Sequence, residues 1–208
     1  MSIAREGWPY ILTLFVLAAL IAWFRVYWLA GTLAALSLFT AFFFRDPERV
    51  PPPGASFVLS PADGKVVKIG PAPAGNLLGD GAQQLSIFLS IFDVHVNRSP
   101  VAGIVEAVDY HKGEFLPAFD EKASLRNEQN TVSLKTEHGR VVFKQIAGLI
   151  ARRIIFKKKV GETVARGERV GMIKFGSRVD VLLPASARLS VRLGERVRAG
   201  TSVLGELQ

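Results

Sequence analysis

The residues best placed to do chemistry begin with Gly171 to Pro184, GMIKFGSRVDVLLP. Two apolar runs flank a Gly-Ser pair, Gly176 and Ser177: Met172, Ile173 and Phe175 before it, Val179, Val181 and Leu182 after it. Both runs read as strand. Glycine reaches backbone angles that other residues avoid, so the pair sets a hydroxyl beside a bendable peptide bond. Two further segments carry partners for that hydroxyl. SPADGKVVKIG (60–70) places Asp63 in a Pro-Ala-Asp-Gly turn, and IFDVHVNRSPVAG (91–103) places His95 at a strand end. Taken singly, each has an ordinary structural explanation: a glycine turn, a turn-forming aspartate, a packed histidine. Together an acid, an imidazole and a hydroxyl are the ingredients of an activated nucleophile.

Composition narrows the rest. The chain has 208 residues, no cysteine, three histidines (His95, His111, His138) and a formal charge of +8. Disulfides, zinc–thiolate sites and cysteine nucleophiles are therefore excluded. A basic balance suits nucleic acid, an anionic membrane or an acidic substrate. No platform of stacking aromatics accompanies the basic residues, so nucleic acid is not the expected partner.

The elements that must position these groups are mainly β. Short β-rich runs separated by Gly, Pro and Asp fall at Lys65–Ile69, Leu85–Phe92, Ile104–Tyr110, Thr131–Lys135, Val141–Ile146, Val170–Phe175, Val179–Leu183 and Leu189–Val191. Such spacing predicts a β-sandwich or barrel. Only Ala118–Leu125 has a weak helical pattern. An internal echo, GETVARGERVG (161–171) and GERVRAGTSVLG (194–205), has the size of a hairpin with turn glycines. It resembles the hairpins of biotinyl and lipoyl carrier domains. The lysine that a carrier would modify has no clear counterpart here, because strand alternation makes Lys174 an exposed strand residue.

Ahead of this domain lies a hydrophobic segment. Trp8–Phe24 and Val26–Phe44 are uncharged, interrupted only by Arg25. Trp8 and Tyr10 stand at one end, with Trp23, Tyr27 and Trp28 at the other; a helix through both sets spans about 30 Å, one hydrocarbon thickness. Gly31 is the expected turn, with Leu33–Phe44 returning. A membrane anchor is the expectation; a cleaved signal and a buried core helix are the alternatives. The Pro-rich stretch after Arg45 is a linker, giving an anchoring segment at 1–45 and a β-rich domain at 46–208. Excess Lys and Arg beyond Arg45 place the domain on the cytoplasmic side of a cell membrane.

These pieces together resemble the short, bacterial and archaeal type of phosphatidylserine decarboxylase proenzyme. The resemblance runs through the hydrophobic segment, FRDPER, SPADG, FDVHVNRSPVAG, YHKGEF, KASLRNEQN, IAGLIARRI and KFGS. It implies that Ser177 attacks the carbonyl of Gly176, and that the resulting ester eliminates to dehydroalanine, which hydrolyses to a pyruvoyl group. The products are a chain of residues 1–176 and a pyruvoyl-blocked chain of 177–208, which stay associated. That group forms a Schiff base with the amine of phosphatidylserine and releases carbon dioxide, giving phosphatidylethanolamine. In larger relatives an Asp-His-Ser triad drives cleavage. Asp63 matches the Asp and His95 the first of two histidines, while Arg98 occupies the place of the second. His95, positioned by Asp63, is the expected base and proton donor; another group or a water is the alternative. Arg98 is either a solvated strand-end cation or a partner for the substrate's carboxylate or phosphate. Phe88, Phe92, Phe115 and Phe175 either line the site or pack the core.

Two groups of residues keep more than one reading from sequence. Arg152, Arg153, Lys157, Lys158 and Lys159, interleaved with Ile154, Ile155 and Phe156, form either a solvated face or a docking surface for anionic lipid. His111, Lys112, Glu114, Asn127, Glu128 and Asn130 fall in matched motifs without an assignable role, and His138 fits a solvated turn. The rivals are a non-catalytic, membrane-tethered carrier or adaptor module, and a decarboxylase of another serine phospholipid. A homo-oligomer is compatible with either.

Overall fold

The computed structural model describes residues 2–117, 123–149, 153–174 and 176–208, the side chain of Leu125 excepted. Part of the weak helical pattern (118–122), Phe175 and Arg152 lie outside the described residues. The chain divides into two units, Met1–Glu48 and Arg49–Gln208.

In the first unit, β1 (Ser2–Ile3) pairs with β2 (Arg45–Asp46) around two helices, α1 (Trp8–Trp23) and α2 (Tyr27–Phe43). The turn between the helices falls at Arg25, at φ 62°, and not at Gly31, which lies inside α2. An interior glycine costs a helix only about 1 kcal/mol, whereas a lone cation between two apolar runs is best placed where the chain leaves them. Trp23, Tyr27 and Trp28 therefore mark a hairpin tip instead of the far end of one long helix. They are exposed there. The stretch Arg5–Trp23 is long and apolar enough to cross a membrane, and α2 is shorter.

The second unit is antiparallel β. Its strands are β3 (Phe57–Leu59), β4 (Gly64–Pro71), β5 (Gln83–Leu89), β6 (Val96–Arg98) and β7 (Gly103–His111). After the short helix α3 (Ala123–Arg126) come β8 (Gln129–Thr136), β9 (Gly139–Ile146), β10 (Ile154–Phe156), β11 (Thr163–Val164) and β12 (Arg169–Ile173). The chain closes with β13 (Ser177–Leu183), β14 (Arg188–Leu189), β15 (Arg196–Val197) and β16 (Val203–Glu206). Eight strands in the order β11-β7-β8-β9-β13-β5-β4-β15 form a sheet that curls as a half-barrel. Two three-stranded sheets, β10-β12-β6 and β14-β16-β3, complete the unit. Alternate residues of the large sheet supply the core: Leu85, Ile87 and Leu89, Val132 and Leu134, Val141 and Phe143, Val179, Val181 and Leu183. This is the period-2 pattern that made the strands legible.

The strand orders have an internal twofold relation. Exchanging β3 with β6, β4 with β7, β5 with β8 and β13 with β9, and continuing through β14/β10, β15/β11 and β16/β12, maps each sheet order onto itself or its partner. The hydrogen bonds repeat as well. Leu59 N–H donates to the Pro100 carbonyl at 2.8 Å and Arg98 N–H to the Pro61 carbonyl at 2.9 Å. Gly200 N–H donates to the Ser60 carbonyl at 2.8 Å and Gly167 N–H to the Ser99 carbonyl at 2.9 Å. Even the bulges correspond, at Val66/Lys68 and Val105/Ala107. The two echoed segments thus occupy equivalent positions, but neither is the expected hairpin: in each, the first strand (β11 or β15) sits at an edge of the large sheet and the second (β12 or β16) in the middle of a three-stranded sheet, so the two do not pair with each other. SPADG and SPVAG are a second repeated pair.

Candidate active site

Ser177 is the first residue of β13 and is completely buried. It pairs with Leu89 at the end of β5, while Arg178 pairs with Ile146 at the end of β9. The hydroxyl therefore sits where three neighbouring strands begin or end, on the inward face that Val179 and Val181 continue. Its Oγ has no hydrogen-bond partner among the described residues. Leaving a buried hydroxyl unpaired costs about 1–3 kcal/mol, so its retention calls for a reason beyond packing. Directly before it, Gly176 has φ +49°, the left-handed region, and a Cβ there would meet nothing within 4 Å. Glycine is required at this position by backbone angle, not by lack of room.

His95 lies just before β6 and is completely buried. Its backbone carbonyl accepts from Ile173 N–H at 3.4 Å, four residues ahead of Ser177. The ring Nδ1 lies 2.9 Å from the Asp93 carbonyl. A carbonyl only accepts, so Nδ1 carries the proton, and whenever the ring is neutral its lone pair is at Nε2. Asp93 is in turn fixed by Ser90, whose N–H and hydroxyl both donate to Oδ2 at 2.8 Å, and by Arg196 at 3.2 Å from Oδ1. The loop between β5 and β6 is built to aim this imidazole.

Asp63 has other partners. Its carboxylate accepts from Arg49 Nη1 at 2.5 Å and Nη2 at 2.8 Å, and from Ala199 N–H at 2.8 Å. None of the hydrogen bonds described joins it to His95, whose orienting partner is the Asp93 carbonyl. Arg98 is buried, unlike a solvated strand-end cation. Its Nη1 donates to the Gly167 carbonyl at 2.9 Å, and its Cδ would stand 2.7 Å from a Cβ at Gly200. Lys174, the residue after β12, is also buried, at 8% exposure, and its N–H donates to the Arg153 carbonyl at 3.2 Å, so it is not the exposed strand residue expected.

Two polar networks flank the serine. Inside the core, Asn130 donates to Gln145 at 3.0 Å, and Gln145 donates to Asn97 at 2.9 Å. Gln145 is the cross-strand neighbour of Val179, so this network lies one inward position along β13 from Ser177. On the opposite face of β13, Asp180 accepts from Arg178 at 2.6 Å and from Gln84 and Ser124 at 2.7 Å, while Arg178 donates to Ser86 at 2.6 Å. These members are drawn from several strands and from α3, and only the folded arrangement brings them together. Asn127, Glu114 and Glu128 acquire structural roles: Asn127 ties Leu116 to Ala147 at 2.8 Å, Glu114 pairs with Arg126 at 2.6 Å, and Glu128 bonds Tyr110, pushing the phenol pKa up to about 12. Phe115 packs against the core, whereas Phe92 is 63% exposed.

A buried serine behind a left-handed glycine is the pairing that an intramolecular acyl shift starts from. Known proteins resemble the chain over nearly its whole length. The family model described as phosphatidylserine decarboxylase matches residues 36–205. A phosphatidylserine decarboxylase proenzyme of Solibacter usitatus is 50% identical over 98% of this chain and 96% of its own length. Those of Ralstonia nicotianae and Symbiobacterium thermophilum are 48% and 47% identical, each over 99% of this chain and 95% of theirs. With a matching model over most of its length and relatives at this identity, the chain belongs to the phosphatidylserine decarboxylase family.

Proposed function

We propose that this chain cleaves itself between Gly176 and Ser177 and then, as a pyruvoyl enzyme, decarboxylates phosphatidylserine to phosphatidylethanolamine. The observation that carries the reading is the orphaned, fully buried Ser177 hydroxyl placed behind Gly176 at φ +49°. His95 Nε2 takes the hydroxyl proton, and Oγ attacks the Gly176 carbonyl. The C–N bond breaks, the amide nitrogen is protonated, and an ester remains. Removal of the Ser177 α-proton expels the Gly176 carboxylate, and hydrolysis of the resulting dehydroalanine releases ammonia and leaves the pyruvoyl group. That group fits the enclosed position of Ser177 and would supply a carbonyl that condenses with the substrate amine and acts as an electron sink. The chain's own tasks are then to exclude water and to return a proton, for which His95 is the donor. Because β13 pairs along its length with β5 and β9, the 177–208 product stays seated in the sheet after the cut.

The two equivalent segments, 161–171 and 194–205, are the only likeness to a biotinyl or lipoyl carrier among the described residues, and their strands lie in different sheets. A carrier module, however, must offer its lysine at an exposed turn tip, and Lys174 is 8% exposed. The apolar helix near the amino terminus supports membrane attachment, and the basic domain is assigned to the cytoplasmic face. Lys157 and Lys159 are exposed, while Lys158 is held by Glu168 at 2.6 Å, which raises its pKa. The two exposed lysines are assigned to docking on anionic lipid, at about 1 kcal/mol per charge. Replacing both by glutamate weakens sedimentation with phosphatidylserine vesicles in low salt; unchanged sedimentation removes them from the docking surface.

Intact mass tests the central claim. Wild type gives two chains with a pyruvoyl-blocked smaller one, and Ser177→Ala stays whole. A processed Ser177→Ala, or a free amine on the short chain, overturns it.

A further inference from the structure

Arg49 belongs to the FRDPER motif, just past the hydrophobic segment, and nothing in its sequence context gives it a task. In the structure it is seated on the SPADG turn. Its guanidinium makes a two-point pair with the Asp63 carboxylate, at 2.5 and 2.8 Å, and Nη1 also donates to the Ala199 carbonyl at 2.7 Å. The side chains of Arg49 and Asp63 are only 10% and 13% exposed. The next residues continue the contact. Arg166 Nη2 donates to the Pro52 carbonyl at 2.7 Å, and Pro51 packs against Gly167, where an added Cβ would approach Pro51 Cγ to 2.7 Å.

Residues 49–52 thus lie across both members of the twofold-related pair of turns, the one at Gly200 and the one at Gly167. Those turns hold Ser60 and Ser99 at the heads of SPADG and SPVAG through the bonds Gly200 N–H to Ser60 and Gly167 N–H to Ser99. The position equivalent to Asp63 in the second half is Ala102, so only one half has a carboxylate for the strap to grip.

We propose that residues 49–52 are a strap that sets the SPADG turn for self-cleavage, with Arg49 a positioning residue acting through Asp63. The proposal rests on the self-cleavage reading above. A bidentate guanidinium fixes both distance and plane of a carboxylate, whereas an ammonium fixes only distance. Arg49 is also the first residue of the β unit, so the segment leading in from the apolar helices is part of the cleavage machinery and not a passive tether.

The test uses the full chain and follows the appearance of the 177–208 fragment with time. Arg49→Ala slows the cut by roughly ten- to hundredfold, the loss expected for a hydrogen-bonded charge. Arg49→Lys recovers part of the rate. Ethylguanidinium in the buffer speeds Arg49→Ala but neither Asp63→Asn nor the double variant, and the double variant is no slower than Asp63→Asn alone. Melting of the same substitutions in an uncleavable Ser177→Ala background reports the fold separately. Cutting of Arg49→Ala at the wild-type rate overturns the proposal. So does a slow Arg49→Ala that matches a loss of melting temperature and ignores ethylguanidinium, and so do additive effects in the double variant. Wild type run in parallel separates the two readings: an uncut wild type refutes self-cleavage itself, and a cut wild type with an equally fast Arg49→Ala refutes the strap alone.

Discussion

Glycine at the scissile position and glycine five residues earlier are present for opposite reasons, and the difference is measurable. At Gly176 the backbone is left-handed at φ +49° and an added Cβ meets nothing within 4 Å. At Gly171 an added Cβ would lie 2.1 Å from the Ile155 carbonyl oxygen and 3.1 Å from Gln145 Nε2. The first is a demand on dihedral angle, worth about 1–2 kcal/mol for an L-residue. The second is a demand on space, because main chain must move to admit a methyl, and overpacking of that kind costs about 1–3 kcal/mol or more. It also spreads the hydrogen bonds joining β10 to β12. In an uncleavable Ser177→Ala background, thermal melting should therefore place Gly176→Ala about 2–8 °C below the parent, using about 2–4 °C per kcal/mol for a domain of this size. Gly171→Ala should lie lower still. With Ser177 intact, Gly176→Ala should also cleave more slowly, since the alanine draws the peptide away from the conformation that faces it to Oγ. A Gly176→Ala precursor as stable as its parent would show that the positive φ is not a feature of the folded chain, and the link between that angle and the cut would fall. A Gly176→Ala penalty larger than that of Gly171→Ala would show that room, not angle, is limiting at the scissile bond.

A second prediction concerns the buried pair behind the cut. Arg178 and Asp180 are 3% and 1% exposed, and Asp180→Asn removes the charge that three donors share. The expected loss is about 3–5 kcal/mol by melting of the uncleavable precursor, and Arg178→Met with Asp180→Leu should be less damaging than Asp180→Asn alone, because no unpaired charge remains buried. If the single and double changes cost the same, charge pairing is not what holds β13 there.

The strands were legible because one face of each faces the apolar core, which sets a period of two in Leu85, Ile87 and Leu89 and in Val179, Val181 and Leu183, even where the other face is buried too. Ser177, Gly176 and His95 stood out because a hydroxyl after a glycine and a histidine among apolar residues break that pattern. Arg49, Asp93, Gln145 and Asp180 did not, and the reason is the same for each: their partners lie on other strands or turns. Arg49 meets Asp63 and Ala199 only once the SPADG turn and the turn between β15 and β16 are brought together. The position of the helical turn was misread because glycine signals a break only where the backbone needs its freedom, and inside α2 it does not. Lys174 was misplaced because alternation says which residues share a face, not whether that face is covered by further chain.

The twofold relation explains why the site is where it is. A symmetric scaffold offers every position twice, so chemistry can arise only where the two halves differ. Asp63 corresponds to Ala102, and Arg98 to Leu59, whose backbone N–H groups make matching bonds to Pro61 and Pro100. The scaffold's hydrogen bonds are retained in both halves while the side chains diverge: Asp63 in the first half and Arg98 in the second each carry a charge whose counterpart in the other half is apolar. The strap from Arg49 then reads that asymmetry, since it spans both turns but finds a carboxylate at only one. Restoring the symmetry tests this. With Asp63→Ala the two turns become alike in side chain, and the scaffold argument expects the uncleavable precursor to keep its sheets, because the Leu59, Arg98, Gly167 and Gly200 main-chain bonds do not involve the carboxylate. The same substitution in the cleavable chain removes what Arg49 holds. A precursor that loses its fold on this change would place Asp63 among the residues the scaffold needs, and the division between a duplicated frame and a one-sided site would not stand.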